Sequence, residues 1–350
     1  MIAYLYGDLA IYCTAVAKSL RDVSCNFNSA NNMSTNTSEP CWNSTSALTK
    51  SDMYKIFVAI FIVVLGPFAY FNVTKTKYLQ IVTSVMRWTA FITMITLSIL
   101  RMSDPGLPHG SPPVLDLSTT PTVFGVSVYA FMCHHSIPSL VTPVRKSSQV
   151  PAVLGFDYVL IASFYLLLSY TGIFAFPTVP DLYTLAFKPS DSGDNLPLEI
   201  ADYFLALFPV FTLSTNFPII AITLANNLET IIRQLFPSTN NFSKTLSRLL
   251  FPTLAVLPPA LVALATENLG FLVSITGAYA GAGIQYFIPC SLVYLARRKL
   301  NHFRKEFNLE LRNPLESYFR HSGFIVMIVV WSGAAVGLVT ANFILKAVNQ

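Results

Sequence analysis

Nine predominantly apolar stretches alternate with polar segments along the chain. A helix needs about 20 such residues to cross a hydrocarbon layer roughly 30 Å thick, so the pattern predicts an all-α polytopic membrane protein with about nine transmembrane helices. The fourth and sixth stretches have the weakest pattern because prolines and polar residues lie within them. The predicted spans are Met1–Leu20, Met53–Phe71, Leu79–Leu100, Thr122–Val141, Val153–Phe176, Ile200–Ala225, Ser247–Thr266, Leu269–Ala296 and His321–Lys346.

The first predicted span, Met1–Leu20, shows no charged leader and no cleavage site, so it does not have the pattern of a signal peptide. Because it barely reaches the length of a span, we expect it to be the remainder of a longer helix. The long polar segments, residues 21–52, 101–121 and 177–199, all fall on one side of the membrane when the spans are counted.

Lysine and arginine are distributed unevenly between the two sides. One side holds fourteen of them, the other side and the span ends hold seven, and Arg87 lies inside the third span. Cytosolic segments carry the excess of basic residues in membrane proteins, so we predict that the richer side is cytosolic. The basic loop at residues 297–320 belongs to this side. Its simplest role is to enforce orientation, and contact with anionic lipid is the alternative.

Composition narrows the class of protein further. With 53% hydrophobic residues, 11% charged residues and a mean hydropathy of +0.55, the chain has too little polar surface for a soluble domain. The net charge of +5 comes from short segments between apolar runs, so nucleic acid is not an expected partner. The sequence contains no CxxC pair, Gly-rich phosphate loop, HExxH or GxSxG. We therefore expect neither an enzyme nor a metal or cofactor site.

The polar segment 21–52 is predicted to be a glycosylated extracytosolic loop. Its three sequons, at Asn32, Asn36 and Asn43, agree with the charge count, whereas those at Asn72 and Asn241 fall on the predicted cytosolic side and are expected to stay unmodified. Cys25 and Cys41 flank this loop. A lumenal or extracellular position would allow them to form a disulfide, and two free thiols are the alternative.

The segment Tyr129–Pro143 interrupts the fourth span with polar residues and two prolines. Proline removes a backbone donor, and unsatisfied backbone survives in a bilayer only where protein or a wet cavity covers it. Such a break is the best sequence indication of a transporter's binding site. The alternative is a kinked helix whose freed backbone groups are hydrogen-bonded by Ser or Thr side chains. Histidine side chains titrate near neutrality, so protonation of His134 or His135 is a candidate for coupling to transport. The alternative is a histidine that is hydrogen-bonded within the bundle.

Ionisable residues inside predicted spans are costly to bury and usually face the bundle interior or a cavity. Asp8 is a candidate counter-ion or proton carrier, unless it lies near the cytosolic surface. For Arg87 we expect a structural ion pair with a carboxylate in the bundle, and snorkelling of the side chain towards the membrane surface is the alternative. Asp157 is expected to complement the dipole at the start of its helix, and a role as a ligand is the alternative.

Two further spans contain candidate polar sites. The sixth gathers hydroxyl and amide oxygens at Thr212, Ser214, Thr215 and Asn216, which suits a small hard cation such as sodium; Ser and Thr bonding to the carbonyl one turn back is the alternative. The eighth contains a small-residue strip, 276–283, that predicts close helix packing. Gln285 and Tyr279 beside that strip are weaker candidates to line a permeation path.

Five motifs carry a resemblance along essentially the whole chain: YLYGDLAIY, KTKYLQIVTSVMRW, FGVSVYAFMCHHSIPSL, LFPVFTLSTNFPII and ITGAYAGAGIQYFIP. They closely resemble the transmembrane protein 104 group, a branch of the amino acid/auxin permease superfamily that includes sodium-coupled neutral amino acid transporters. The resemblance implies an eleven-helix inverted repeat of the LeuT type. In this repeat the first and sixth helices are broken and hold substrate and ion.

Matched by motif, this chain corresponds to the family pattern from its third helix onward, as a single domain over residues 1–350 without the first two helices. The resemblance places Cys133, His134 and Ser136 on the interrupted substrate-binding helix. It places Thr212, Ser214, Thr215 and Asn216 on the helix that contributes to the sodium site.

Two functions remain open from the sequence. One is a secondary active transporter of amino acids, coupled to sodium or protons, with the lipid bilayer and a small-molecule substrate as partners; the missing helices would leave it incomplete or inactive. The other is a membrane protein that does not transport and acts as a sensor, scaffold or regulatory subunit. Both readings predict a multi-pass integral membrane protein, in either the plasma membrane or an endolysosomal membrane.

Overall fold

A computed structural model describes residues 1–25, 39–42, 48–71, 77–114, 116–134, 136–137, 141–142, 144, 149–187, 196–236, 243–307, 319 and 321–348. The three predicted glycosylation sites lie outside these residues, as does His135. Within them the chain is helical: α1 (Ile2–Ser24), α2 (Lys50–Leu65), α3 (Lys77–Ser103), α4 (Thr120–Ala130), α5 (Val150–Ala175), α6 (Leu196–Leu235), α7 (Lys244–Ala265), α8 (Leu269–Ile275), α9 (Ile288–Phe307) and α10 (Ser322–Val348).

The described helices confirm an all-α polytopic membrane protein. Seven helical segments are long and apolar enough to cross a bilayer: Lys50–Tyr70, Tyr78–Ser103, Val150–Ala175, Leu196–Leu235, Thr245–Ala265, Leu269–Phe303 and Ser322–Val348. They correspond to seven of the predicted spans. The first predicted span is α1, a 23-residue helix that carries Asp8, Lys18, Arg21 and Asp22 and is not among the seven. The fourth is α4, which has 11 residues and ends at Ala130.

Helix α1 lies at the centre of the bundle and packs against α2, α6, α7 and α8. Leu9 and Val16 on α1 are at most 1% exposed, and so are Tyr54, Phe217 and Phe251 on the surrounding helices. These side chains belong to one continuous apolar cluster. Burying aliphatic and aromatic side chains of this size against one another favours close packing through dispersion contacts. Helix α1, which carries four charged residues, is therefore enclosed by protein.

Proline-induced gaps in α7 are filled from neighbouring helices. Pro258 cannot donate a hydrogen bond to the carbonyl of Leu254, and the Tyr6 hydroxyl donates to that oxygen instead, at 2.7 Å. The buried Tyr54 hydroxyl donates to the carbonyl of Ala263 at 2.7 Å, near the end of α7. Freed or terminal carbonyls inside a bilayer need such partners. These bonds fix α7 against α1 and α2.

Polar contacts gather at the end of the bundle where α1 terminates. Arg21 forms ion pairs with Asp22 at 2.7 Å and with Glu267 at 2.8 Å, and the Asp22 and Glu267 carboxylates raise the pKa of its guanidinium against the opposing effect of burial. Cys25 is joined to Cys41 by a disulfide, with the two Cα atoms 4.7 Å apart. This arrangement ties the end of α1 to the segment that leads into α2.

Candidate functional site

The helix of the fourth span ends in the middle of its apolar segment. Beyond Ala130 the chain leaves the helical conformation at Met132 and Cys133. The carbonyl oxygen of Cys133 then accepts hydrogen bonds from the backbone amides of Ser136 at 2.9 Å and Ile137 at 3.1 Å. This tight turn satisfies a backbone acceptor that the broken helix would otherwise expose. The prolines at 138 and 143 lie outside the described residues.

A cavity of about 350 Å³ opens beside this break, between α3, the end of α4 and α5. Cys133 lines it, and its sulfur lies 2.8 Å from the hydroxyl of Tyr158. Phe131 forms another part of the wall, with its ring 6.3 Å from that of Tyr158 and 5.5 Å from that of Tyr165. The volume falls within the range of sites for small molecules.

Two opposite charges line this cavity, Arg87 from α3 and Asp157 from α5. The expected ion pair of Arg87 is not formed with any described acidic residue, and the same holds for Asp157 with described basic residues. Asp157 also lies two turns into α5 rather than in its first turn, so complementing the helix dipole is not its role. The dipole role expected for Asp157 was wrong, and the ion pair expected for Arg87 is not formed among the described residues; both side chains line a cavity that depends on tertiary packing.

The other predicted substrate residues lie near the break or on a neighbouring element. His134 and Ser136 are half-buried in the turn that follows Cys133. Gln285 lies on the helix that packs against α4, and its side-chain oxygen is buried without a hydrogen-bond donor among the described residues. A buried acceptor without a hydrogen-bond donor destabilises the fold, so the Gln285 oxygen is available to a polar ligand or water.

The helix carrying Gln285 has an irregularity that the sequence did not indicate. Between α8 and α9 it widens into π-helical turns at Thr276–Gly281 and Gly283–Phe287, a geometry that occurs frequently at functional sites. The small-residue strip here is confirmed as a close packing surface. A Cβ atom on Gly277 would overlap the carbonyl oxygen of Gly125 on α4, and one on Gly281 would lie 3.0 Å from Val128 Cγ1.

The four predicted ion-binding residues lie on α6, which continues as one helix through Pro209 and Pro218. The Thr212 hydroxyl donates to the carbonyl of Phe208 at 2.9 Å, and the Thr215 hydroxyl donates to the carbonyl of Thr212 at 2.9 Å. Ser214 and Asn216 are half-buried. None of the four lines the cavity beside the break. In this conformation the two threonines make local backbone bonds.

Asp8 provides a second polar centre, on the inner side of α4. It is 6% exposed, and its carboxylate accepts a hydrogen bond from the hydroxyl of Tyr129. Tyr129 belongs to the last turn of α4, and its ring lies 6.1 Å from that of Tyr4. The sequence singled out Asp8 as an acid within an apolar stretch, but its contact with the broken helix depends on tertiary structure.

These features define a transporter-like polytopic membrane protein: long apolar helices, a helix broken at mid-bundle, and a charged cavity at the break. The chain belongs to the family described as transmembrane amino acid transporter protein, whose model matches residues 1–335.

Relatives cover nearly the whole chain. It is 45% identical to transmembrane protein 104 homolog of Drosophila melanogaster, over 98% of this chain and 69% of that protein. Identity is also 45% with transmembrane protein 104 of Homo sapiens, over 99% of this chain and 69% of that protein. It is 32% with the transmembrane protein 104 homolog of Dictyostelium discoideum, over 99% of this chain and 67% of that protein. No solved structure matches the chain.

Proposed function

We propose that this protein is a secondary active transporter of amino acids that binds its substrate in the cavity beside the break in α4. The observation that carries this proposal is the pair of opposite charges, Arg87 and Asp157, which line one cavity without pairing with described residues. A free amino acid carries both a carboxylate and an ammonium group. Family membership supports the same substrate class.

Each wall of the cavity has a role in this proposal. The Arg87 guanidinium binds the substrate carboxylate, since its planar donors match carboxylate geometry. Asp157 accepts hydrogen bonds from the ammonium group. The aromatic wall, which includes Trp88 and Phe131, contacts an apolar side chain. Cys133 lines the cavity at the turn, and His134 and Ser136, which follow it in the chain, are proposed to contribute to substrate binding.

The depth of the two charges agrees with a site inside the bilayer. Arg87 lies ten residues after Lys77 and Asp157 lies seven after Val150, which corresponds to roughly 15 Å and 10 Å along their helices. Both helices begin on the predicted cytosolic side, so the charges lie in the same half of the bundle. Rocking of the helices around this site would expose it alternately to the two sides.

Sodium and the proton are both proposed as coupling ions. For sodium the proposed ligands are Thr212, Ser214, Thr215 and Asn216, and ion binding would require the threonine hydroxyls to leave their present carbonyl partners. Gln285 is proposed to complete the permeation path on the opposite helix, where its buried oxygen lacks a described donor.

Uptake of radiolabelled amino acids into proteoliposomes, with sodium and proton gradients applied separately, tests the proposal. We expect gradient-driven uptake of neutral amino acids. Arg87→Gln and Asp157→Asn should each reduce it about 10-fold or more, because a hydrogen bond to a charged group contributes about 1.5–3 kcal/mol. The control is Arg298→Gln, an exposed residue of α9, which should leave uptake unchanged.

A well-folded protein that takes up no amino acid under either gradient would contradict transport and support the sensor or scaffold alternative. Asp157→Asn should reduce uptake only of substrates that carry an ammonium group. An equal reduction in the uptake of substrates that lack this group would contradict the assignment of Asp157.

A further inference from the structure

A carboxyl group is buried at the centre of the bundle, outside the proposed substrate cavity. Asp8 lies in the second turn of α1, is 6% exposed, and accepts a hydrogen bond from the Tyr129 hydroxyl. No described lysine, arginine or histidine forms an ion pair with it. Burying an ionised carboxylate costs several kcal/mol unless a cation or several hydrogen bonds compensate. One hydroxyl donor does not provide that compensation.

Tyrosines supply the nearest titratable groups. Tyr4 and Tyr12 lie one turn before and after Asp8 on the same helix, and Tyr129 faces it from α4. Arg87 on α3 lies close enough to act electrostatically on Tyr12, but it forms no ion pair with Asp8. From α2 the group that faces α1 is Tyr54, whose hydroxyl already donates to the Ala263 carbonyl and lies 3.3 Å from the Thr14 hydroxyl.

The remaining elements that pack on α1 bring no charge to this depth. Helix α6 has no ionisable residue between positions 204 and 228, α7 has none between 249 and 265, and α8 has none along its length. The π-helical turns carry Tyr279, whose hydroxyl is bonded to that of Thr340, and Tyr286, which packs on the apolar core. Among the described residues, therefore, no cation forms an ion pair with Asp8, and its hydrogen-bond donor is the Tyr129 hydroxyl.

The position of Tyr129 connects this carboxyl group to the substrate cavity. Tyr129 belongs to the last turn of α4, and the next four residues, 130–133, all line the cavity on the other side. A change at Asp8 that alters its bond with Tyr129 therefore acts directly on the segment that borders the substrate.

We propose that Asp8 is the proton-binding site of the transport cycle, and that Tyr129 transmits its protonation to the broken end of α4. The proposal rests on the proposed function and selects the proton as coupling ion. Asp8 takes a proton from water on the side where the site is open, holds it while enclosed, and returns it to water on the other side. A hard cation such as sodium would require several oxygen ligands, whereas the described groups that contact the Asp8 carboxylate supply one.

Infrared spectroscopy of the purified full chain in lipid nanodiscs tests proton binding without requiring transport. We expect a carboxylic-acid C=O stretching band that disappears on alkalinisation and is absent from Asp8→Asn. The matched control is Asp22→Asn, on the same helix but half-buried at its end in an ion pair with Arg21, which should retain the band. Tyr129→Phe keeps the acid and removes its donor, so the band should remain but shift in frequency.

Proteoliposome uptake supplies the second measurement. Asp8→Asn should lose acid-driven accumulation by at least 10-fold while retaining exchange of substrate across the membrane without a gradient. A band lost in Asp8→Asn supports the proton site even if no amino acid is transported under any gradient, in which case the transport function itself fails. Acid-driven accumulation that survives in Asp8→Asn overturns the proposal and leaves transport intact. Sodium-driven uptake lost in Asp8→Asn, with no acid band, overturns it in favour of a sodium ligand.

Discussion

The crossing of α4 (Thr120–Ala130) with the π-helical turns at Thr276–Gly281 gives the sharpest prediction. A Cβ atom on Gly277 would overlap the Gly125 carbonyl oxygen and lie 2.9 Å from its carbonyl carbon and 3.0 Å from the Cβ of Tyr129. These contacts involve backbone, which cannot rotate away. Gly277→Ala must therefore force the two helices apart and move Tyr129.

The magnitude follows from two opposing terms. Overpacking costs about 1–3 kcal/mol, whereas replacing glycine by alanine in a helix gains up to about 1 kcal/mol. Gly283 lies in the same segment with open space around its Cβ position, so Gly283→Ala should keep the gain without the cost. We expect Gly277→Ala to unfold more readily than the wild type, and Gly283→Ala to be at least as stable as the wild type.

Thermal unfolding of the three purified proteins in one detergent measures this difference. Uptake by the same variants should show that Gly277→Ala also impairs transport, because it displaces the broken end of α4. Equal unfolding temperatures for Gly277→Ala and Gly283→Ala would refute the close crossing as the reason for glycine at position 277.

Three further predictions concern stability and topology. Tyr54→Phe should destabilise the fold by about 1–3 kcal/mol, since it leaves a buried carbonyl acceptor without its donor; the exposed pair of Tyr70 with Thr253 makes Tyr70→Phe the milder control in the same unfolding assay. Cys25→Ser should cost roughly 3 kcal/mol for a loop of this length, and a reducing agent should lower the stability of the wild type but not of the variant. Asn→Gln at positions 32, 36 and 43 should each remove one glycosidase-sensitive step in gel mobility, whereas Asn241→Gln should remove none.

The order of helices along the chain could be predicted from hydrophobic runs. The break in the fourth span was also predictable, because Pro138 and the polar residues around it disagree with a continuous membrane helix. The packing role of the strip 276–283 followed from its small residues. These features are local, since each depends on residue types within one or two helical turns.

Other features of the site were not predictable. Arg87 and Asp157 lie 70 positions apart, and their common cavity depends on how α3 and α5 (Val150–Ala175) are placed against the broken helix. The sequence assigned them separate structural roles because the pattern on one helix does not show which face of another helix it meets. The π-helical turns could not be predicted for a related reason. No residue pattern distinguishes them from an α-helix, because packing on α4 determines where the helix widens.

The sequence by itself determined the class of protein, the helical segments, the position of the break and the family resemblance, because apolar length and proline act locally on the backbone. Tertiary structure alone decided that α1 (Ile2–Ser24), with its four charged residues, is enclosed by the bundle, and that its single buried acid meets Tyr129 rather than water or a cation. The physical reason is that burial is a property of the assembled helices. A charged or polar residue in a membrane segment is costly wherever it lies, and only the packed bundle determines which partner compensates that cost.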